Sequence, residues 1–158
     1  MITPHAATAK AIRQELKALG IKASVTSKRF SMGNAVDINV KDAAPETMEV
    51  LEKIARKYEY GTFNGMTDGY ECDNKNDSIP QVKYTSANNG MSDAMIDAVW
   101  AFMRAHYDAC LLLPEKYEEA KNIYTTLYPE RDGYVRQLVW QEFCRSNTAW
   151  NQKQRKAV

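Results

Sequence analysis

His5 is the first side chain able to do chemistry. In the opening turn of a predicted helix it lies beside free backbone N–H groups, which favour the neutral imidazole, so it can serve as a general base or touch a phosphate. The plainer alternative is a core-edge histidine bonded to a loop carbonyl, for instance in the segment 61–70. Asp68 stands with Glu71, Asp73 and Asp77 in a carboxylate-rich stretch, and clustered carboxylates can hold a divalent cation. The run DNKND at 73–77 places Lys75 at a ligand position of the calcium-loop pattern and lacks its glycine, so no metal is assigned. Asp68 reads better as a turn residue bonding neighbouring N–H groups.

A third constellation is basic. Lys10, Arg13 and Lys17 share one side of the first predicted helix, and Lys22, Lys28 and Arg29 follow. Residues 1–41 carry seven Lys or Arg against two Asp or Glu, a local excess of +5. Such a region can meet phosphates, with Phe30, Tyr58, Tyr60, Phe63 and Tyr70 available for stacking or contact. The competing reading is a solvated helix face above a core of aromatics. His106, on an apolar helical face, reads as a satisfied core histidine. Tyr128, Tyr134, Trp140 and Trp150 are either interface anchors or core. Cys72, Cys110 and Cys144 form no CxxC pair, and read as free thiols, Cys72 in a polar loop and the others buried. There is no P-loop, GxGxxG, HExxH or readable Ser/His/Asp set, and no cofactor is assigned.

The elements that must position these residues follow from periodicity. A helix is expected from Thr3 to Leu19, with Thr3 as cap, Pro4 at the first position, Gly20 as stop, and Ile12, Leu16 and Leu19 on its apolar face. Period-two alternation predicts strands over 21–28 and 34–41, joined as a hairpin by a turn near Gly33 and Asn34. A second helix spans Pro45 to Lys57. Short strands are expected at 58–63 and 81–85, with a polar loop at 61–79 between them. Beyond Ser92 the chain reads as helical: one helix from Asp93 to Leu112, a second from Glu115 to Leu127, a third from Glu130 onward, and a fraying tail.

The expected class is α+β: a small α-β-β-α-β-β module over residues 1–90, followed by a three-helix C-terminal extension over 91–158. With 158 residues, 44% of them apolar, and a net charge of +1, the chain has enough apolar side chain for a core and too little charge to coat nucleic acid over its whole surface. No stretch reaches the ~20 apolar residues of a membrane span, and MITPHAATAK lacks the pattern of a secretory signal, so the host cytoplasm is expected and a membrane partner is not.

Three stretches carry a family resemblance: TPHAATAKAIRQELK at 3–17, SKRFSMGNAVDINV at 27–40 and YEYGTFNGMTDGYECDN at 58–74. In this order they resemble the large polyvalent protein associated domain 29, a family found within very large proteins of phages and conjugative elements and as shorter free-standing proteins. The matching positions include Thr3, Pro4, His5, Lys10, Arg13, Phe30, Gly33, Asn34, Tyr60, Gly61, Phe63, Gly65, Met66, Thr67, Asp68 and Tyr70. The resemblance brings no catalytic assignment. It implies a setting in mobile DNA, where accessory proteins often blunt restriction or CRISPR defences. The leading expectation is a non-enzymatic counter-defence inhibitor of the anti-CRISPR or anti-restriction type, acting on a host protein or ribonucleoprotein complex. A nucleic-acid-binding module using the basic helix and hairpin is the first alternative. An enzyme with its site at His5 and Asp68 is the second.

Overall fold

The computed structural model describes residues 2–127, 131–146 and 148–157. The chain divides into two compact units, Met1–Ala43 with Thr47–Gly90, and Ala44–Glu46 with Met91–Val158. Among the described residues no helix is long and apolar enough to cross a membrane.

Helix α1 (Pro4–Ala18) begins where Pro4 needs no N–H partner and stops before Gly20, whose φ of +71° lies in the left-handed region open to glycine. Thr3 stands at the cap position but its side chain makes no capping bond. The helix buries Thr8, Ala9, Ile12 and Leu16. Leu19, expected on that face, is exposed, because the helix ends at Ala18 and the chain turns away at Gly20.

Strands β1 (Ser24–Phe30) and β2 (Gly33–Lys41) form the expected antiparallel hairpin, but the connection is Ser31-Met32. Gly33 and Asn34 belong to β2 instead. A Cβ at Gly33 would sit tight against the side chains of Lys83 and Phe30. Along β2, Val36, Ile38 and Val40 are buried, as period two requires. Of the alternating positions at the start of β1 only Val25 is fully buried, and Ile21 and Ala23 pack at the margin.

Helix α2 (Pro45–Tyr58) contributes Leu51, Ile54, Ala55 and Tyr58 to the same core. The segment expected to be a loop between two strands contains a small hairpin, β3 (Thr62–Asn64) with β4 (Gly69–Glu71). The following strand, β5 (Tyr84–Gly90), lies parallel to β2, giving the sheet order β1-β2-β5. A parallel pair needs a crossover, which α2 and the small hairpin supply.

The second unit is built differently from the expected three helices. Helix α3 (Asp93–His106) starts as predicted, with the Ser92 hydroxyl accepting the Met95 N–H at 3.2 Å. It ends at Tyr107, whose extended backbone separates it from the short α4 (Asp108–Leu111). The expected helix from Glu115 to Leu127 is a single turn, α5 (Tyr117–Ala120), followed by strand β6 (Tyr124–Leu127). Tyr124, Thr125 and Thr126 are β-formers, and they pair with β7 (Arg131–Tyr134). Helix α6 (Val135–Cys144) therefore starts later than expected, and the expected start at Glu130 lies outside the described residues. The expected fraying tail instead forms α7 (Ala149–Lys156), capped by the Thr148 hydroxyl. The α+β class stands, with strands in both units.

Candidate functional site

The N-terminus of α1 and the β1–β2 turn meet at a cleft of about 420 Å³. Thr3, His5, Phe30, Gly33, Asn34 and Tyr60 all line it, and all six are positions on which the family resemblance rests. Arg29 lines it too, and its guanidinium has no hydrogen-bond or ion-pair partner among the described residues. His5 Nε2 lies 3.1 Å from Thr3 Oγ1, so its partner is a neighbouring hydroxyl and not a loop carbonyl. Asn34 is structural: its side-chain oxygen accepts the Lys83 backbone N–H at 2.9 Å, tying the start of β2 to the approach of β5.

Beyond the cleft runs a chain of aromatic rings. Phe30 stacks on Tyr84 at 6.1 Å between centroids, Tyr84 meets Tyr70 edge-on at 5.7 Å, and Tyr70 meets Tyr60 at 5.6 Å. The Lys83 ammonium lies 5.0 Å from the Tyr70 centroid and 5.3 Å from that of Tyr84, and donates to the Met32 carbonyl at 3.3 Å. Tyr70 donates its hydroxyl to the Lys83 carbonyl, and burial pushes its phenol pKa upward. Gly61 makes this packing possible, because a Cβ there would collide with the Glu71 carbonyl and the Tyr70 ring.

Tyr70 is the cross-strand neighbour of Phe63 in the β3–β4 hairpin. The outer members of this face are open to solvent: Phe30 is 42% exposed, Met32 79% and Phe63 59%, and Met66 at the hairpin tip is almost wholly free. Sequence reasoning singled out Phe30, Phe63 and Tyr70 but missed Met32, Lys83 and Tyr84. Only the pairing of β5 with β2 brings Tyr84 beside Ala35 and so next to Phe30.

The other predicted residues divide. Lys10 and Lys17 are exposed on α1 without a carboxylate partner among the described residues. Arg13 is engaged, donating to the Val25 carbonyl at 2.6 Å. Lys28 is paired with Asp37 at 2.8 Å and holds that carboxyl below its usual range. Asp68 sits in the β3–β4 turn with φ of +50°, and no contact joins it to His5. The turn's side-chain bond comes from Asn64, which accepts the Met66 N–H at 2.9 Å.

The nearby carboxylates are used separately. Asp73 accepts from Thr62 and Arg56, which hold it below its ordinary value, Glu71 accepts from Asn64, and Asp77 pairs with Lys75. Among the described residues no group of three His, Cys, Asp or Glu is placed to hold a metal ion. His106, expected in the core, is exposed and stacked on Phe102 at 5.3 Å, because α3 ends there and the ring lies on its outer side. Tyr134 and Trp140 are about half exposed, Trp150 packs at the margin of the second core, and Tyr128 lies outside the described residues. Cys72 is exposed, and burial pushes the Cys110 thiol up to about 11.

An α-helix over a mixed three-stranded sheet, with aromatic and basic side chains exposed at one end, makes this a small α+β module. The chain belongs to the large polyvalent protein associated domain 29 family, whose model matches residues 3–97. It is thus a domain associated with phages and mobile elements. No curated protein and no solved structure matches the chain.

Proposed function

We propose that the chain is a non-enzymatic accessory protein of a phage or mobile element that binds a host protein or ribonucleoprotein defence complex and blocks it, as an anti-CRISPR or anti-restriction factor does. The carrying observation is the exposure of Phe30, Met32 and Phe63, with Phe30 stacked on Tyr84, Tyr84 against Tyr70, Phe63 in register with Tyr70, and Arg29 and Lys83 alongside. Large apolar side chains exposed at the surface beside cations are the composition of a protein-binding patch. The enzyme reading draws no support from the pairing of His5, whose ring nitrogen meets the Thr3 hydroxyl. The nucleic-acid reading keeps one observation: Lys10, Lys17, Lys22 and Arg29 lack carboxylate partners among the described residues.

The test expresses the chain in hosts that each carry one defined CRISPR or restriction system, and measures plating of a targeted phage. Plating restored to the level of the undefended host in one of them is expected, and Phe30→Ser, Met32→Ser and Phe63→Ser together should remove the effect. Absence of restoration across the panel, or full restoration by the folded triple variant, overturns the reading. Salt-sensitive binding to oligonucleotide, with no effect on plating, would favour the nucleic-acid module instead.

A further inference from the structure

Strand β1 forms one margin of the sheet, with β2 on its other side. Its two-residue connection to β2 makes Phe30 and Gly33 a mutually hydrogen-bonded pair, so antiparallel alternation gives β2 the backbone groups of Ser24, Thr26, Lys28 and Phe30. The backbone groups of Val25, Ser27 and Arg29 therefore point away from the sheet. The Val25 carbonyl accepts from Arg13, which agrees with that direction. The N–H and C=O groups of Ser27 and Arg29 have no partner among the described residues, and every β1 residue except Val25 is exposed.

The same Arg13 bond shows that the basic side of α1 runs along this margin. At the amino end of α1 lies the cleft lined by His5 and Arg29. At its carboxyl end lies a second cleft of about 480 Å³, lined by Arg13, Lys17, Ile21 and Lys22. The helix and the strand thus run in opposite directions with a cleft at either end of one open edge. Fifteen helical residues at ~1.5 Å each and seven strand residues at ~3.3 Å each cover nearly equal lengths, so one extended segment can lie against both.

We propose that the free edge of β1 is a docking site for an extended acidic segment of a partner protein, which adds to the sheet as a fourth strand beneath the basic side of α1. An unpaired edge is a template for strand addition. Charge selects the occupant: Lys10, Lys17, Lys22 and Arg29 have no carboxylate partner among the described residues, and alternate side chains of an added strand would face α1. A second copy of this chain fits poorly, since β1 carries Lys28 and Arg29 and no acid, and pairing two copies would oppose like charges. A nucleic-acid strand would leave the outward carbonyls of Ser27 and Arg29 facing phosphates. The site rests on the chain being a partner-binding protein, and does not require that the partner be a defence complex.

The test selects random peptides from a displayed library against the full chain, then follows one labelled consensus peptide by fluorescence anisotropy and by amide exchange. Acidic residues at alternate positions are expected, with slowed exchange at the Ser27 and Arg29 amides. Ser27→Pro removes an outward N–H without costing a bond to β2, and should weaken binding by about tenfold or more relative to Ser27→Ala. Should the proline variant fail to fold, Lys10→Glu with Lys17→Glu carries the test, with a similar loss expected. Selected peptides without acidic residues, protection elsewhere than β1, equal binding by these variants, or displacement of the peptide by oligothymidine at equal concentration would each overturn the proposal. Peptide binding at β1 with no effect on plating in any host would leave this site standing and remove the defence reading.

Discussion

The first unit buries almost nothing but apolar side chains, whereas the second buries a carboxylate. Around α1, the sheet and α2, the core is made of residues such as Ile12, Val36, Ile38, Leu51 and Val82, with Thr8 the buried polar side chain among those described. Thr8 answers its hydroxyl locally, on the Pro4 carbonyl at 2.9 Å. Among the described residues, Tyr58 is the ionisable side chain that enters this core. Tyr58 reaches Glu15 at 2.9 Å, and burial with that neighbour pushes its phenol up to about 12. In the second unit Glu142 is wholly buried. It accepts from Arg131 at 2.6 Å, from the Tyr107 hydroxyl at 3.1 Å and from the Trp150 backbone N–H at 2.9 Å. One carboxylate thereby ties the end of α3, strand β7, and helices α6 and α7. The difference teaches that both units are built on apolar cores, and that the second adds to its own, around Val99, Met103 and Leu138, a charge that must find its partners.

Removing the charge should give the largest effect. Glu142→Ala leaves Arg131 without its counter-charge, and a loss of about 3–5 kcal/mol is expected. Amide exchange should accelerate in β7, α6 and α7 while β2 and α1 keep their protection, and equal loss in both units would break the comparison. The matching change in the first unit is Ile12→Ala. That side chain has no exposed surface, and deleting it should cost about 2–5 kcal/mol, read from the urea midpoint, with the exchange pattern reversed.

Gly61→Ala tests close packing on the aromatic face. The new Cβ meets the Glu71 backbone and the Tyr70 ring, so a cost of about 1–3 kcal/mol and displaced Tyr70 and Tyr84 ring signals are expected. The smallest effect belongs to Asp37→Asn. Lys28 holds the Asp37 carboxyl below 3.8 in the folded state, so this pair adds stability above that range and loses it as pH falls through the folded value. The pair is partly exposed, so the variant should lose less than about 1 kcal/mol near neutrality, and the difference should vanish in acid. A large, pH-independent loss would mean that charge also holds the first unit together.

Much of the first unit was legible. The Pro4 start and Gly20 stop of α1, the alternation of Val36, Ile38 and Val40, and the apolar stripe of α2 are local signals, and each element follows them. Strand β5 was legible only at its start: a strand is expected at 81–85, but β5 runs from Tyr84 to Gly90, and Ser86, Asn88 and Asn89 are poor strand formers. Its place comes from pairing with β2 and from Asn89, whose side-chain amide bonds both the N–H and the carbonyl of Ala43. The hairpin β6–β7 was misread as helix because Tyr124 and Leu127 also fit a helical spacing. Of the candidate site, Phe30, Phe63 and the basic stripe could be named from residue type. The engagement of Arg13 and Lys28, and the separation of His5 from Asp68, could not.

The sequence by itself determined the α+β class, the helix and hairpin of the first forty residues, the family, and the uneven charge that leaves a basic N-terminal region within a nearly neutral chain. Those properties are carried by neighbours in the chain, through hydrophobic period and capping chemistry. Tertiary structure alone decided that Tyr84 completes the aromatic face, that β1 is an open edge bordered by the basic side of α1, and that Glu142 is a buried hub. Each of these joins residues far apart in the chain, and only the pairing of strands and the burial of charge determine which distant groups become neighbours.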